Sequence, residues 1–371
     1  MLGMNPLQGR TIHQVTAGFA PADAISDEAR NIRRLLCSWG CRSEIYSWPE
    51  HIDRQNRHEC RLVSELDSHE CDLLIYHFSI GSPATETVLG HRCRRVMIYH
   101  NITPSSFFRF FSREVADQLE QGRQQLGRVR EAFSLALADS EFNRAELAEL
   151  GYERTAVLPI LFDPASLRVG WKERIRAAWL RRRGETTVFF VGRLAPNKRA
   201  DDLLRIFSFY QRFYNPRSRF VWVGSAGGME LYAQHLFGLI ERFGIRNAIF
   251  PGYVSRSVLT SWYLAGDVFA SASEHEGFCV PILESFHFGK PVVAYGAAAV
   301  PETLGDAGLL LSSKEPEVFA AAIHRAATDS QLRAELVSRG HRRARESFGR
   351  ERVASILRGH LIAELERPAG L

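Results

Sequence analysis

Short runs of β-branched and aromatic residues alternate along this chain with segments whose apolar positions recur every three or four residues. In the first half, residues 11–15 predict a strand and 26–39 the helix after it, with Ser26 as N-cap and Gly40 as the stop. Residues 43–47, 72–76, 95–99, 135–138 and 155–158 predict further strands. Residues 113–133 predict a long polar helix with Leu119, Leu126 and Val129 on one side. The second half repeats the rhythm: strands at 187–191, 220–223, 248–251, 268–270 and 291–295, helices at 200–213, 229–243, 258–265 and 281–288. Such alternation predicts parallel sheets with helices on both faces, and two such runs predict two doubly wound, Rossmann-like α/β domains. The expected division is 1–165 for the first domain, a basic, poorly patterned linker at 166–184, and 185–349 for the second. Three consecutive helices are expected between 315 and 366.

The length of 371 residues supports the two-domain reading, since one core rarely grows that large. Hydrophobic content of 45% and charged content of 24% are those of a globular chain. No apolar run approaches the roughly 20 residues that span a bilayer. The first residues lack the basic and apolar regions of a secretory signal, so a cytoplasmic setting is expected. The six cysteines form no CxxC units and are expected to be reduced thiols. A net charge of +5 permits an anionic ligand or surface without arguing for nucleic acid.

Chemistry concentrates in two stretches. In Ser273-Glu274-His275-Glu276-Gly277-Phe278-Cys279-Val280-Pro281-Ile282-Leu283-Glu284, Pro281 suits the first turn of a helix. Glu276 then lies in the loop before that helix and Glu284 about one turn inside it. The amides of Gly277, Phe278 and Cys279 lie near the helix N-terminus, where an anion binds well. Carboxylates beside a phosphate suit neutral hydroxyls of the same ligand, and a phosphate flanked by sugars is a nucleotide sugar. The second stretch, Val191-Gly192-Arg193-Leu194-Ala195-Pro196-Asn197-Lys198, follows a predicted strand and offers two cations at its carboxyl end, where open α/β sheets bind ligands. Taken alone, it is equally a strand–helix turn with solvated charges.

Together these stretches resemble the retaining glycosyltransferases of family four, which have the GT-B fold. The likeness extends to Ala138-Asp139-Ser140-Glu141-Phe142, Gly289-Lys290-Pro291-Val292-Val293 and Val300-Pro301-Glu302-Thr303, and is strongest over 187–310. It implies that two Rossmann-like domains face a central cleft and that the helix of 350–371 crosses back to the first domain. It implies that Arg193 and Lys198 bind the donor diphosphate, Glu284 the ribose hydroxyls and Glu276 the transferred sugar. It also implies that His100, at a first-domain strand end, faces the cleft near that sugar, and that Gly224 in Gly224-Ser225-Ala226-Gly227-Gly228 borders the nucleotide. The loop Thr16-Ala17-Gly18-Phe19-Ala20 stands where the family has a double glycine, and departs from it.

The resemblance implies transfer of a hexose to a glycan or lipid-linked glycan with retained configuration, the departing phosphate helping to take the acceptor proton. No cofactor and no metal are expected, as there is no Asp-x-Asp motif. A likeness to bacterial polysaccharide mannosyltransferases favours GDP-mannose as donor, with UDP-hexoses close behind. A sugar-nucleotide 2-epimerase of the same fold and a non-catalytic glycan-binding relative are the alternatives. Cys279 and Arg199 stand where glycine is common in the family. The stretch Ser105-Ser106-Phe107-Phe108-Arg109-Phe110-Phe111-Ser112-Arg113 suits either an anionic membrane interface or a buried aromatic cluster.

Overall fold

A computed structural model describes residues 5–21, 23–67, 70–182 and 184–368. The chain divides into two compact units, Met1–Pro104, Asp117–Phe162 and Phe348–Leu371 in the first, Ser105–Ala116 and Asp163–Ser347 in the second. The second unit thus takes twelve residues from within the first stretch, and the first unit takes the C-terminal helix.

In the first unit, β1 (Ile12–Thr16), α1 (Ala24–Ser38), β2 (Ile45–Ser47), β3 (Arg61–Leu62), β4 (Leu73–Phe78), α2 (Ala84–Gly90) and β5 (Arg94–Tyr99) come first. After α3 (Arg113–Arg128) follow β6 (Leu135–Ala138), α4 (Glu141–Glu149) and β7 (Thr155–Val157). The strands form one parallel sheet in the order β3-β2-β1-β4-β5-β6-β7. The α1 cap is Asp23, whose carboxylate accepts from the Ser26 amide at 2.8 Å, so the helix starts before the expected Ser26. The long helix expected to reach residue 133 stops at Arg128 and gives way to a tight turn at Arg130–Ala132.

The second unit contains α5 (Trp171–Leu180), β8 (Thr186–Val191), α6 (Ala200–Phe213), β9 (Ser218–Val223), α7 (Glu230–Arg242), β10 (Ala248–Gly252) and α8 (Arg256–Ala265). It continues with β11 (Val268–Ser271), α9 (Val280–His287), β12 (Val292–Tyr295), α10 (Val300–Leu304), β13 (Leu309–Leu311), α11 (Pro316–Thr328) and α12 (Ser330–Glu346). Its sheet is also parallel, in the order β10-β9-β8-β11-β12-β13. Residues 171–180 of the expected linker are a helix. The Glu173 side chain closes its first turn on the Gly170 amide at 2.9 Å.

The last helix, α13 (Arg350–Glu366), belongs to the first unit. Val353, Leu357 and Leu361 recur at helical spacing and bury against Ile12 of β1, Leu73 and Ile75 of β4 and Val96 and Ile98 of β5. Arg94 donates to the carbonyls of Glu364 and Arg367 and so satisfies the open end of that helix. The second unit has an aromatic interior: Phe190 packs on Trp222 at 4.2 Å between ring centroids, and Phe189 meets Tyr263 edge-on at 5.5 Å.

Candidate active site

Each sheet changes its direction of growth beside its first strand, between β1 and β4 and between β8 and β11. Side-by-side loops that leave such a pair at the carboxyl ends open a crevice for ligands. In the second unit the β8 loop carries Gly192 to Lys198, and the β11 loop carries Ser273 to Cys279. The two loops are fastened together. Glu274 N–H donates to the Asn197 carbonyl at 2.9 Å, and the Asn197 side-chain amide donates to the His275 carbonyl at 2.9 Å. Lys198 forms an ion pair with Glu276, their side chains 20% and 7% exposed. The two residues assigned from the sequence to separate parts of a ligand are therefore partners of each other in the fold.

Arg193 is exposed and donates to the Gly227 carbonyl at 3.0 Å. Its turn is held by Trp222, whose indole N–H donates to the Gly192 carbonyl at 2.9 Å, and by the Leu194 amide donating to Ser225 O at 2.8 Å. Gly224 is required here, because a Cβ on it would lie 1.9 Å from the Gly192 carbonyl oxygen. Gly224→Ala is expected to cost about 1–3 kcal/mol, or to displace the Gly192–Arg193 turn. Thermal unfolding beside a Ser225→Ala control reads this; equal midpoints would refute it.

Helix α9 begins at Val280, with Pro281 in its first turn and Cys279 as its N-cap. Cys279 has φ +72°, and Arg199, which precedes α6, has φ +51°. Both lie in the left-handed region, which costs an L-residue with a side chain about 1–2 kcal/mol. That region is the physical reason for glycine at both positions in the family pattern. Arg199 has gained a tether in exchange: it pairs with Glu274 at 2.6 Å and with Asp201 at 2.8 Å. The Cys279 thiol is buried, and burial together with the Glu276 carboxylate pushes its pKa well up, so it is a packed thiol and not a nucleophile.

The sequence reading missed two participants. Tyr263, fully buried on α8, donates its hydroxyl to the Glu284 carboxylate; burial and that charge raise its pKa far above the usual phenol range. Lys314 pairs with Glu274 and, at 2.6 Å, with Asp202. Burial favours the neutral form of Glu274, but Lys314 and Arg199 outweigh it and hold the carboxyl below its ordinary value. These pairings depend on which helix ends the sheet brings together, and no local spacing signals them.

His100 belongs to the first unit, and its side chain is 2% exposed. Its Nδ1 faces Asp139 Oδ2 at 3.1 Å and Glu28 Oε2 at 3.4 Å, and its Nε2 faces His77 Nδ1 at 2.9 Å. His77 Nε2 in turn faces Gln14 Oε1 at 2.9 Å, and the Gln14 amide nitrogen donates to Ala29 O at 3.1 Å. That last bond sets the directions as far as His100 Nε2, and the Asp139 carboxylate sets the other side, where it accepts from Nδ1. Gln14 Oε1 accepts, so His77 carries its proton on Nε2 and accepts at Nδ1, and His100 donates from both nitrogens. His100 is therefore an imidazolium. Burial disfavours that charge, but Asp139 and Glu28 outweigh burial and raise the pKa to about 9. Burial raises both Glu28 and Asp139 as well, against the pull of the imidazolium. Glu28, His77 and His100 also offer metal-ligand atoms within 4.8 Å of one another, but the ring nitrogens are already engaged in this hydrogen-bond chain.

Of the Phe/Arg stretch, Phe108 is buried and Phe111 packs on Tyr232 at 4.8 Å. Phe107 lies 6.2 Å from the His275 ring, and Phe110 is the exposed ring of the four. The segment thus offers one phenylalanine to a surface instead of a cluster, because the second unit absorbs the rest.

Residues 172–343 match the family Glycosyl transferases group 1. The chain is 26% identical over 270 residues to the O-antigen chain mannosyltransferase B of Escherichia coli, covering 70% of this chain and 68% of that one. It is 31% identical over 175 residues to a D-inositol 3-phosphate glycosyltransferase of Segniliparus rotundus, 46% of this chain and 38% of that one. Anabaena Alr3699/HepE, solved with UDP and glucose, superposes with a TM-score of 0.72 at 21% identity, over 95% of this chain and 100% of that one. The fold is therefore GT-B, built from two parallel-sheet Rossmann-like units. Residues 172–343 thus form a domain of the group 1 glycosyltransferase family.

Proposed function

We propose that this enzyme is a metal-independent, retaining hexosyltransferase that moves mannose from GDP-mannose to a glycan or lipid-linked glycan in surface polysaccharide assembly. The observation that carries the reading is the clasp at the carboxyl ends of β8 and β11. It pairs Lys198 of the loop that also carries Arg193 with Glu276 of the loop that leads into the helix bearing Glu284. In this reading Arg193, Lys198 and the amides of Gly277, Phe278 and Cys279 hold the diphosphate. Glu284 takes the ribose hydroxyls, and Glu276 takes the sugar once the diphosphate draws Lys198 away. The bond from the sugar C1 to the phosphate oxygen breaks as the acceptor oxygen bonds to C1 from the same face. The acceptor proton passes to the departing diphosphate. Negative charge grows on that group, and fixed cations and amides stabilise it.

The E. coli relative supports mannose. The Anabaena structure holds UDP and glucose, which favours a UDP-hexose as the second reading. Thermal unfolding with GDP-mannose, UDP-glucose, ADP-glucose and dTDP-glucose separates them. A donor at about 100 times its Kd stabilises the chain by about 2.7 kcal/mol, a rise of roughly 5–11 °C for a unit of this size. GDP-mannose is expected to give the largest rise and to be slowly hydrolysed without acceptor. A larger rise with UDP-glucose selects the second reading. Conversion of UDP-N-acetylglucosamine to its 2-epimer selects the epimerase. No shift and no turnover with any donor would sink the enzyme reading.

A further inference from the structure

Helix α5 has two apolar faces. Ala177 is buried, and Glu173 and Arg176 on the same side bond Ser257 of α8. On the opposite side Trp171, Ile175 and Trp179 recur at spacing i, i+4, i+8, and they are 69%, 50% and 84% exposed. They form a stripe about 12 Å long that faces away from α8. Lys172 flanks it on one side, its ammonium 5.7 Å from the Trp171 ring centre, and Arg174 flanks it on the other; both are exposed.

The charge of this segment stands apart from the rest of the molecule. Residues 168–184 contain seven basic side chains, Arg168, Lys172, Arg174, Arg176, Arg181, Arg182 and Arg183, against the single acid Glu173, a net +6. The whole chain carries +5. The one acid is turned to the protein, where its carboxylate accepts from Gly170 N and Ser257 Oγ. An exposed row of tryptophans and isoleucine rimmed by unopposed cations is the pattern of a helix that lies in the plane of a bilayer surface. Tryptophan at both ends of the row suits the headgroup level.

We propose that α5 docks the second unit on an anionic lipid surface, with Trp171, Ile175 and Trp179 entering the headgroup boundary and Lys172 and Arg174 meeting lipid phosphates. A second copy of the chain fits less well, because two such faces would bring +6 against +6. Single-stranded nucleic acid fits less well too, because the stripe is the convex face of one helix and not a groove. The proposal is independent of the donor sugar.

Sedimentation with vesicles of phosphatidylcholine, with and without phosphatidylglycerol, tests it. The chain is expected to pellet with the anionic vesicles alone, less so in high salt, with a blue shift of tryptophan emission. Each cation at the surface contributes about fivefold to partitioning, so the pair Lys172→Glu and Arg174→Glu is expected to lose at least about tenfold. Trp171→Ser with Trp179→Ser is expected to lose as much and to abolish the shift. All these positions are exposed, and unchanged thermal unfolding and donor turnover would show that the fold and the donor site persist. Failure of the wild-type chain to pellet would overturn the proposal, as would variants that pellet equally. A dimer in light scattering that Trp179→Ser dissolves would overturn it in favour of self-association. Displacement of the chain from vesicles by single-stranded RNA at low stoichiometry would overturn it in favour of nucleic acid.

Discussion

Lys198→Ala is expected to lower donor turnover by about 10²–10³-fold, the usual loss when one preorganised charge is removed from a developing anion. Lys198 is suited to this role by position and by partnership. It stands at the carboxyl end of β8, and in the free chain its ammonium is held by Glu276, whose side chain is 7% exposed. A diphosphate carries more charge than a carboxylate and would compete for the ammonium. Alanine also leaves Glu276 buried without its partner, so the variant is expected to lose stability. Glu276→Gln removes that second effect. In a double-mutant cycle, part of the stability loss of Lys198→Ala should vanish in the Glu276→Gln background, while the loss of turnover should remain. Kinetics with saturating donor, run alongside thermal unfolding, separate the two. A folded Lys198→Ala enzyme that turns over within about threefold of wild type would remove Lys198 from the mechanism.

Asp139→Asn is expected to destabilise the chain by about 3–5 kcal/mol near neutral pH, the usual result of leaving one member of a buried ion pair alone. The imidazolium of His100 and the carboxylate of Asp139 are both 2% exposed. The direction of the pH dependence follows from the raised pKa. His100 in the folded chain holds its proton up to about 9, against about 6.5 when unfolded. Its contribution is therefore fully present below about 6.5 and is lost as the pH rises through 9. Glu28 and Asp139, raised by burial, change stability in the same sense, while His77, lowered by burial and by His100, contributes in the opposite sense as pH falls below 6.5. Asp23 adds its charge from the cap of α1. Lys290, pushed down to about 8 by burial, opposes the decline at high pH. The difference between wild type and variant cancels that distant term. Urea unfolding from pH 6 to 9 should show a gap that narrows as the pH rises. A gap that stays constant would show that His100 is not charged in the fold.

Much of the second unit was legible in the sequence. The helix Ala200–Phe213 has the expected bounds because its buried positions, among them Leu203, Leu204, Ile206 and Phe207, follow a helical period. The start of α9 was marked by Pro281, whose ring fits only the first turn. Helix α5 was hidden in the expected linker for a physical reason. Its stripe of Trp171, Ile175 and Trp179 is only three residues long and is set among the seven basic side chains of 168–184, so the charge dominates the local pattern. The cap of α1 was misplaced because Asp23 and Ser26 are both good caps, and only the fold shows which one accepts the amide.

The sequence by itself determined the alternating elements, the two-unit α/β class and the residue types of the proposed donor site, since each is written in local spacing. It also held the two departures from glycine, Arg199 and Cys279, without showing why glycine belongs there; the left-handed backbone supplied the reason. The partnerships were decided only by tertiary structure. Lys198 meets Glu276 because β8 and β11 are neighbours although 76 residues separate the end of one from the start of the other, and Tyr263 of α8 meets Glu284 of α9, on the other side of β11 in the chain. Gln14, Glu28, His77, His100 and Asp139 come from five places in the first unit and form one hydrogen-bonded charge network. Strand order in a parallel sheet is set by how crossovers bury their apolar faces over the whole unit. No window of ten or twenty residues contains that information, and the charge on His100 follows from it.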